Sequence, residues 1–259
     1  MQAGVEQLLA WKGAVLGAWF LLLFLLERRI PAAIPRLAEA SWRRLVRNAA
    51  LWAGNLLISP LVVVPISAVA ASAAPQWRPQ WWSGVAGLLL DLVLLDFLIY
   101  WWHRANHVVP LLWRFHSVHH LDRFLDTTSA VRFHAGEVVL SALARACIIL
   151  LLAVPLTSVV VFETLVLVAA LFHHSNLRLP PAFERALSFA VVTPSIHWVH
   201  HHRLRADTDA NYCTILSLWD RLFMSRARHR RTADMAIGVE AREEERLFGL
   251  LAAPFRRGA

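Results

Sequence analysis

Lysine is almost missing from this chain: of its 26 basic residues only Lys12 is a lysine, and the other 25 are arginines. Histidine is missing from the first hundred positions, although thirteen follow. Cysteine is limited to Cys147, inside an apolar run, and Cys213, far downstream, which gives no basis for a disulfide framework. Neither a Rossmann-type glycine fingerprint nor a C-x-x-C-H haem-attachment motif occurs, so neither mark of a built-in electron supply is present. H-E-x-x-H is also absent, and with it the carboxylate that a zinc hydrolase of that type uses as base. No soluble basic face interleaved with aromatics is visible, which excludes nucleic acid as the expected partner.

What the chain does have is apolar sequence. Hydrophobic residues make up 58% and mean hydropathy is +0.49, against about 45–50% apolar in ordinary globular domains. Five runs, at roughly 10–27, 49–72, 84–102, 138–154 and 156–172, approach the ~20 residues that a membrane helix needs. The last two are short and meet at Pro155, so they read as a helical hairpin, partly re-entrant. The expected fold is all-α: an integral-membrane bundle of about three spans plus this hairpin, with a His-rich metal-binding cap. Residues 1–83 are expected to form anchor helices, 84–225 the core and 226–259 a basic tail. The first run ends in Glu27-Arg28-Arg29 rather than a small-residue cleavage site, which marks a retained anchor.

Charge orients the bundle. The connection 28–47 carries Arg28, Arg29, Arg36, Arg43, Arg44 and Arg47, whereas 73–83 carries only Arg78, so the first connection is expected in the cytoplasm. Trp77, Trp81 and Trp82 then mark the outer interface, and the third run returns to the cytoplasm at His103. A hairpin that goes in and out once brings the remaining histidines to that same side. The expected location is a bacterial inner membrane with the histidines facing the cytoplasm. Within the hairpin, Arg145 and Glu163 lie ten residues before and eight after Pro155, hence about 12–15 Å from the turn. Equal depth predicts an intramembrane ion pair.

Three histidine groups carry the chemistry: "HRANH" with His103 and His107, "HSVHH" with His116, His119 and His120, and "HWVHH" with His197, His200 and His201. On a helix, offsets of three and four share one face, so each group can aim two or three imidazoles at a common point. A single histidine on an apolar face is more often hydrogen-bonded core than ligand. Repeated triplets at a membrane boundary have no such packing rationale. Eight donors exceed the four to six of one ion, so two metals are implied, and imidazole alone does not choose among Fe, Zn, Cu and Ni. Asp96 and Tyr100 precede His103 by seven and four positions on its helical face, where Asp96 is expected to accept a ring N–H. His229, in "RARHRR", reads instead as solvated basic surface.

Together "DFLIYWWHRANH", "WRFHSVHH", "FHHSNLRLP", "TPSIHWVHHH" and "DANYCTILSLWDRLF" resemble the fatty acid hydroxylase / sterol desaturase superfamily over roughly residues 84–225. The short interval from His107 to His116 is similar to that group and not to the acyl-CoA desaturases. The resemblance implies two iron ions held by the eight clustered histidines plus His174, with O2 as co-substrate and a lipid as substrate. Zinc can replace iron in a purified sample. His134, followed by Glu137, is left open between ligand and supporting residue, and His173 and His202 are spare members of doublets. Asn176 and Asp209 join Asp96 and Tyr100 as candidate catalytic residues. Cys213 and Met224-Ser225 depart from a frequent glycine and Gly-Thr in the family.

Two electrons must then come from an external carrier, ferredoxin-like or cytochrome b5-like with its reductase, docking on the Arg-rich face. Two other readings stay open: a non-catalytic metal-binding protein or transporter, and a zinc hydrolase. The end of the chain, "AREEERLFGLLAAPFRRGA", suits either an interfacial amphipathic helix or a surface helix of the cap.

Overall fold

The computed structural model describes residues 2–35 and 42–256, with side chains from residue 10 onward. Among them the only regular structure is helical, joined by three isolated β-bridges. Helix α1 is Gln2–Arg29, α2 is Trp42–Ile58, α3 is Val64–Ala73 and α4 is Gly84–Val108. Helices α5 (Pro110–His120), α6 (Ala135–Leu152) and α7 (Leu156–His174) follow, and then the short α8 (Pro181–Leu187), α9 (Pro194–His200), α10 (Arg205–Thr208), α11 (Leu218–Leu222) and α12 (Leu247–Ala252). Between α2 and α3 a π-helical turn, Ser59–Val63, keeps the helix continuous where Pro60 has no N–H to donate. Among the described residues five stretches are long and apolar enough to cross a membrane: Ala10–Arg29, Trp42–Ala73, Gly84–Val108, Ala135–Leu152 and Leu156–His174. Both arms of the hairpin have that length, and Ala153, in a left-handed conformation (φ 49°), turns the chain between them.

Buried polar contacts gather the inner ends of these helices. At the end of α1, Glu27 accepts from the Thr127 amide (3.0 Å), the Thr127 hydroxyl (2.9 Å) and the Asn176 amide (2.9 Å). At the start of α2, Arg44 donates to Asp122 (2.9 Å) and to the Phe124 carbonyl (2.9 Å), and also pairs with Asp126. Asn48 adds bonds to Asp122 and Thr128, both 3.0 Å. A buried cation stripped of its partner costs about 3–5 kcal/mol, so this network holds the cap in one position on the bundle. Residues 226–256, expected as a tail, pack onto the cap: Gly238 N donates to the His201 carbonyl, and Val239 and Leu250 share an apolar cluster with Leu51, Val118 and Leu121.

The hairpin ion pair is present. Arg145 Nη1 lies 2.8 Å from Glu163 Oε1, and Lys12 Nζ approaches Glu163 Oε2 at 3.8 Å, a third member that the sequence reading did not include. One carboxylate thus serves two cations on three helices. Glu163→Leu should lower thermal stability in lipid more than Arg145→Leu, because the first leaves two unmatched cations at hydrocarbon depth and the second leaves a Lys12–Glu163 pair. Equal melting shifts for the two variants would contradict the shared arrangement.

Candidate metal centre

The route from sequence to site begins at a break. Val109, before Pro110, takes an extended conformation (ψ 115°), which ends α4, while Pro110 at the first position of α5 gives up an amide that needs no partner there. Helix α5 therefore turns back, and His116 and His120 face His103 and His107. Pro194 starts α9 in the same way, opposite the end of α7.

Nine imidazoles meet in two groups. His103, His107, His116, His120 and His200 form one; His119, His174, His197 and His201 form the other. Within each, one ring nitrogen per residue lies within 4.8 Å of all the rest. The groups touch, since the rings of His120 and His201 stack at 4.2 Å between centroids. All nine histidines expected as ligands are in these groups, and together they make up the groups entirely.

Tautomers follow from the surroundings, because a carbonyl can only accept. His103 Nδ1 donates to the Tyr212 carbonyl (2.8 Å), His119 Nδ1 to Arg132 (3.1 Å), His174 Nδ1 to Ala170 (2.8 Å) and His200 Nδ1 to Ala210 (2.6 Å). Their Nε2 atoms therefore carry lone pairs and no hydrogen. Yet His200 Nε2 faces His103 Nε2 at 3.1 Å, and His174 Nε2 faces His119 Nε2 at 3.1 Å. Two bare lone pairs at that distance repel, and a shared cation is what turns the repulsion into attraction. The separation matches the ~3 Å between two nitrogens set at right angles about 2.1 Å from one ion. His107 Nε2 is buried with no hydrogen-bond partner, consistent with the same role.

Burial sets the charge state. His119, His120, His197, His200 and His201 are all pushed well below the ordinary imidazole pKa, first by desolvation and then by neighbouring imidazoles. They are neutral at pH 7, the form that binds metal without first losing a proton.

Carboxylates support the five-histidine group. Glu137, in the first turn of α6, accepts from His116 Nδ1 at 2.7 Å. Asp209 lies 3.4 Å from His107 Nδ1 and is held by Arg205 Nε at 2.7 Å, and desolvation raises its pKa. No comparable carboxylate reaches the four-histidine group among the described contacts. Tyr212, Trp113 and Arg205 close over the five-histidine group, with Tyr212 and Trp113 ring centroids 5.3 and 5.1 Å from His107 and Arg205 bonded to the His107 carbonyl at 2.9 Å.

Several expected residues lie elsewhere. Asp96 accepts no imidazole proton: it takes the amides of Ile215 (3.3 Å) and Leu216 (3.2 Å) and the Trp219 indole N–H (2.8 Å), while the His103 ring is fixed from the Tyr212 carbonyl. Tyr100 bonds Ser225 through its hydroxyl at 2.8 Å. Asn176 brackets Ala33, accepting its amide (3.0 Å) and donating to its carbonyl (2.8 Å). His134 is outside both groups: Nδ1 caps α6 by accepting from Gly136 N (2.9 Å), and Nε2 donates to the Leu251 carbonyl (3.1 Å). His202 and His229 both contact Asp207, so exposed His229 is anchored as well as solvated. His173 is buried with its ring 4.0 Å from that of His197 and its Nδ1 unpartnered.

No offset or motif in the sequence assigns Glu137 to His116. The carbonyls of Ala210 and Tyr212 have no residue signature to find. The two departures from the family pattern are absorbed locally. Cys213 Sγ accepts from Asp220 N at 3.2 Å, and Met224 takes the left-handed conformation (φ 52°) that a glycine would adopt freely.

Fold and site together define an integral membrane protein that carries a paired, all-histidine candidate metal centre. The fatty acid hydroxylase family model matches residues 88–225, more than half of the chain, and the protein belongs to that family. It is 26% identical to ornithine lipid hydroxylase OlsE of Rhizobium tropici over 255 residues, covering 92% of this chain and 76% of that protein. It is 30% identical to very-long-chain aldehyde decarbonylase GL1-6 of Oryza sativa subsp. indica (66% of this chain, 28% of the relative). It is 31% identical to alkylglycerol monooxygenase of Danio rerio (55% and 29%). The chain thus spans about three quarters of the first relative and under a third of the other two. No solved structure matches it.

Proposed function

We propose that this protein is a membrane-bound di-iron enzyme that uses O2 and two externally supplied electrons to oxidise a C–H bond of a lipid. The observation that carries the reading is the pair of Nε2 lone-pair contacts, His200 with His103 and His174 with His119, each at 3.1 Å in one of two adjoining buried groups. His103, His107, His116, His120 and His200 would hold one ion, and His119, His174, His197 and His201 the other. When bound, the pair supplies the redox chemistry that activates O2. The chain's own residues hold the imidazoles neutral and oriented, through the carbonyls of Ala170, Arg132, Ala210 and Tyr212 and the carboxylate of Glu137. Tyr212, Trp113 and the packed cap keep bulk water from the groups.

Hydroxylation of a polar-headed membrane lipid is the reading within this class that the alignment with ornithine lipid hydroxylase supports, since it extends over most of both chains. The five candidate spans form a consistent path if Ala10–Arg29 ends in the cytoplasm, which puts both histidine groups at the cytoplasmic face of a bacterial inner membrane. Electrons would then arrive from a cytoplasmic ferredoxin-like or cytochrome b5-like carrier.

Elemental analysis of anaerobically purified protein tests the reading. About two irons per chain, with O2 consumption on adding bacterial polar lipids and reductant, is the expected result. A single zinc without O2 consumption would favour the hydrolase, and absence of metal would favour a protein without this chemistry.

A further inference from the structure

Part of the cap reaches the middle of α4. Asp96 is the central residue of α4, twelve positions from Gly84 and twelve from Val108, so it lies about 18 Å along the helix from either end. The loop 212–219 nevertheless reaches it: the Ile215 and Leu216 amides and the Trp219 indole all bond the Asp96 carboxylate. Beside this loop runs the 188–193 segment, joined through Val192 N to the Ile215 carbonyl and Ser217 N to the Ala190 carbonyl. With α4 as a membrane span, both segments would stand at hydrocarbon depth, where irregular backbone is tolerated only if its polar groups are satisfied by protein. Here Asp96 and the paired segments satisfy them.

The exposed side chains of this part match that depth. Phe183, Phe189, Leu218, Leu222 and Met224 are 56%, 67%, 45%, 60% and 91% exposed. From 225 to 247 the described residues include no large hydrophobic side chain of such exposure, and the exposed positions there include Arg226, Arg228, Arg230, Thr232 and Glu240. The apolar rim is continuous with the outward face of α4: an apolar groove of about 380 Å³ lined by Trp82, Leu90, Val93 and Phe97 ends at Trp219. Among the described residues Arg226, Arg228 and Arg230, which begin two residues beyond Met224, have no carboxylate partner.

We infer that residues 181–193 and 213–224 form a shelf inserted into the cytoplasmic leaflet, with Phe183, Phe189, Leu218, Leu222 and Met224 among acyl chains and Arg226, Arg228 and Arg230 at the lipid phosphates. Arg185, on the shelf itself, has a stem long enough to carry its charge to the headgroups, and Arg221 donates to the Phe189 carbonyl at 2.6 Å. This placement rests on the membrane-enzyme reading and extends it. A lipid would meet the wall of the histidine groups from within the leaflet, because the 210–212 backbone that orients His200 and His103 adjoins the shelf.

Collision measurements on spin labels test the depth without using activity. Phe189→Cys, Leu222→Cys, Thr232→Cys and Glu240→Cys, each in a Cys147→Ser background whose one other cysteine is the buried Cys213, would be labelled in vesicles of phosphatidylcholine with phosphatidylglycerol. An unchanged circular dichroism spectrum and a single elution peak would serve as the check of folding. The expected result is preferential collision with O2 at 189 and 222, and with a water-soluble nickel chelate at 232 and 240. Nickel accessibility at all four positions, or shielding from both reagents at 189 and 222 as in a protein–protein contact, would overturn the proposal. A protein that fails to hold iron while its shelf labels still report hydrocarbon would overturn the enzymatic reading alone.

Discussion

His200→Ala should bring the purified protein from about two irons per chain to about one, and His119→Ala should do the same at the other position. The expectation comes from how the histidine boxes divide. His116 and His120 serve the five-residue group while His119, between them, serves the four-residue group. His197 and His201 serve the four-residue group while His200 crosses to the five. At 100° per residue, positions i and i+4 are about 40° apart around a helix, whereas i+3 lies roughly 60° to the other side of i. Each short helix therefore presents one stripe to one ion position and a single imidazole to the next. Removing that single imidazole takes one donor from one group and leaves the other group's set complete. Turnover should fall at least about 10³-fold in both variants if both ions are needed, a loss of roughly 4 kcal/mol in transition-state stabilisation. Loss of both irons in each variant would show that the groups do not load separately.

Glu137→Ala should weaken metal retention about 10- to 100-fold, the usual consequence of removing a carboxylate that orients a ligating imidazole. Its Oε1 lies 2.7 Å from His116 Nδ1, and both residues are buried. Without the carboxylate the His116 ring loses the contact that sets its tautomer, so its Nε2 no longer presents a fixed lone pair. Glu137→Gln keeps an acceptor oxygen and should recover much of the retention, which separates orientation from packing. The loss should be confined to one ion per chain, read by elemental analysis after dialysis against a chelator. Equal retention in wild type and Glu137→Ala would remove Glu137 from the site.

The histidine chemistry was legible in the sequence because imidazole has an identity and its offsets have a geometry. The nine candidate ligands could be named from spacing and family likeness, and the chain brings all nine together. Their division into five and four was not legible, because it depends on which way α5 and α9 are rolled against α4 and α7. Asp96 shows a second limit. It does lie on the His103 side of α4, but helical phase says nothing about competing donors, and three N–H groups from 215–219 claim it. The His103 ring is held instead by a carbonyl 109 positions away. The Arg145–Glu163 pair was readable because depth in a hairpin is a count from its turn, whereas Lys12 arrives from another helix.

The contacts at the inner ends of the first two helices also impose a calendar on synthesis. Arg44 finds its anions 78 and 82 residues later, at Asp122 and Asp126, and Glu27 waits 100 residues for Thr127 and 149 for Asn176. While the ribosome is still making the third apolar stretch, Arg44 has no anion and Glu27 has only its neighbour Arg28. The amino-terminal helices can enter the bilayer early but cannot lock until the cap has been made, so a nascent chain stalled before Asp122 would expose both ends to quality-control proteases.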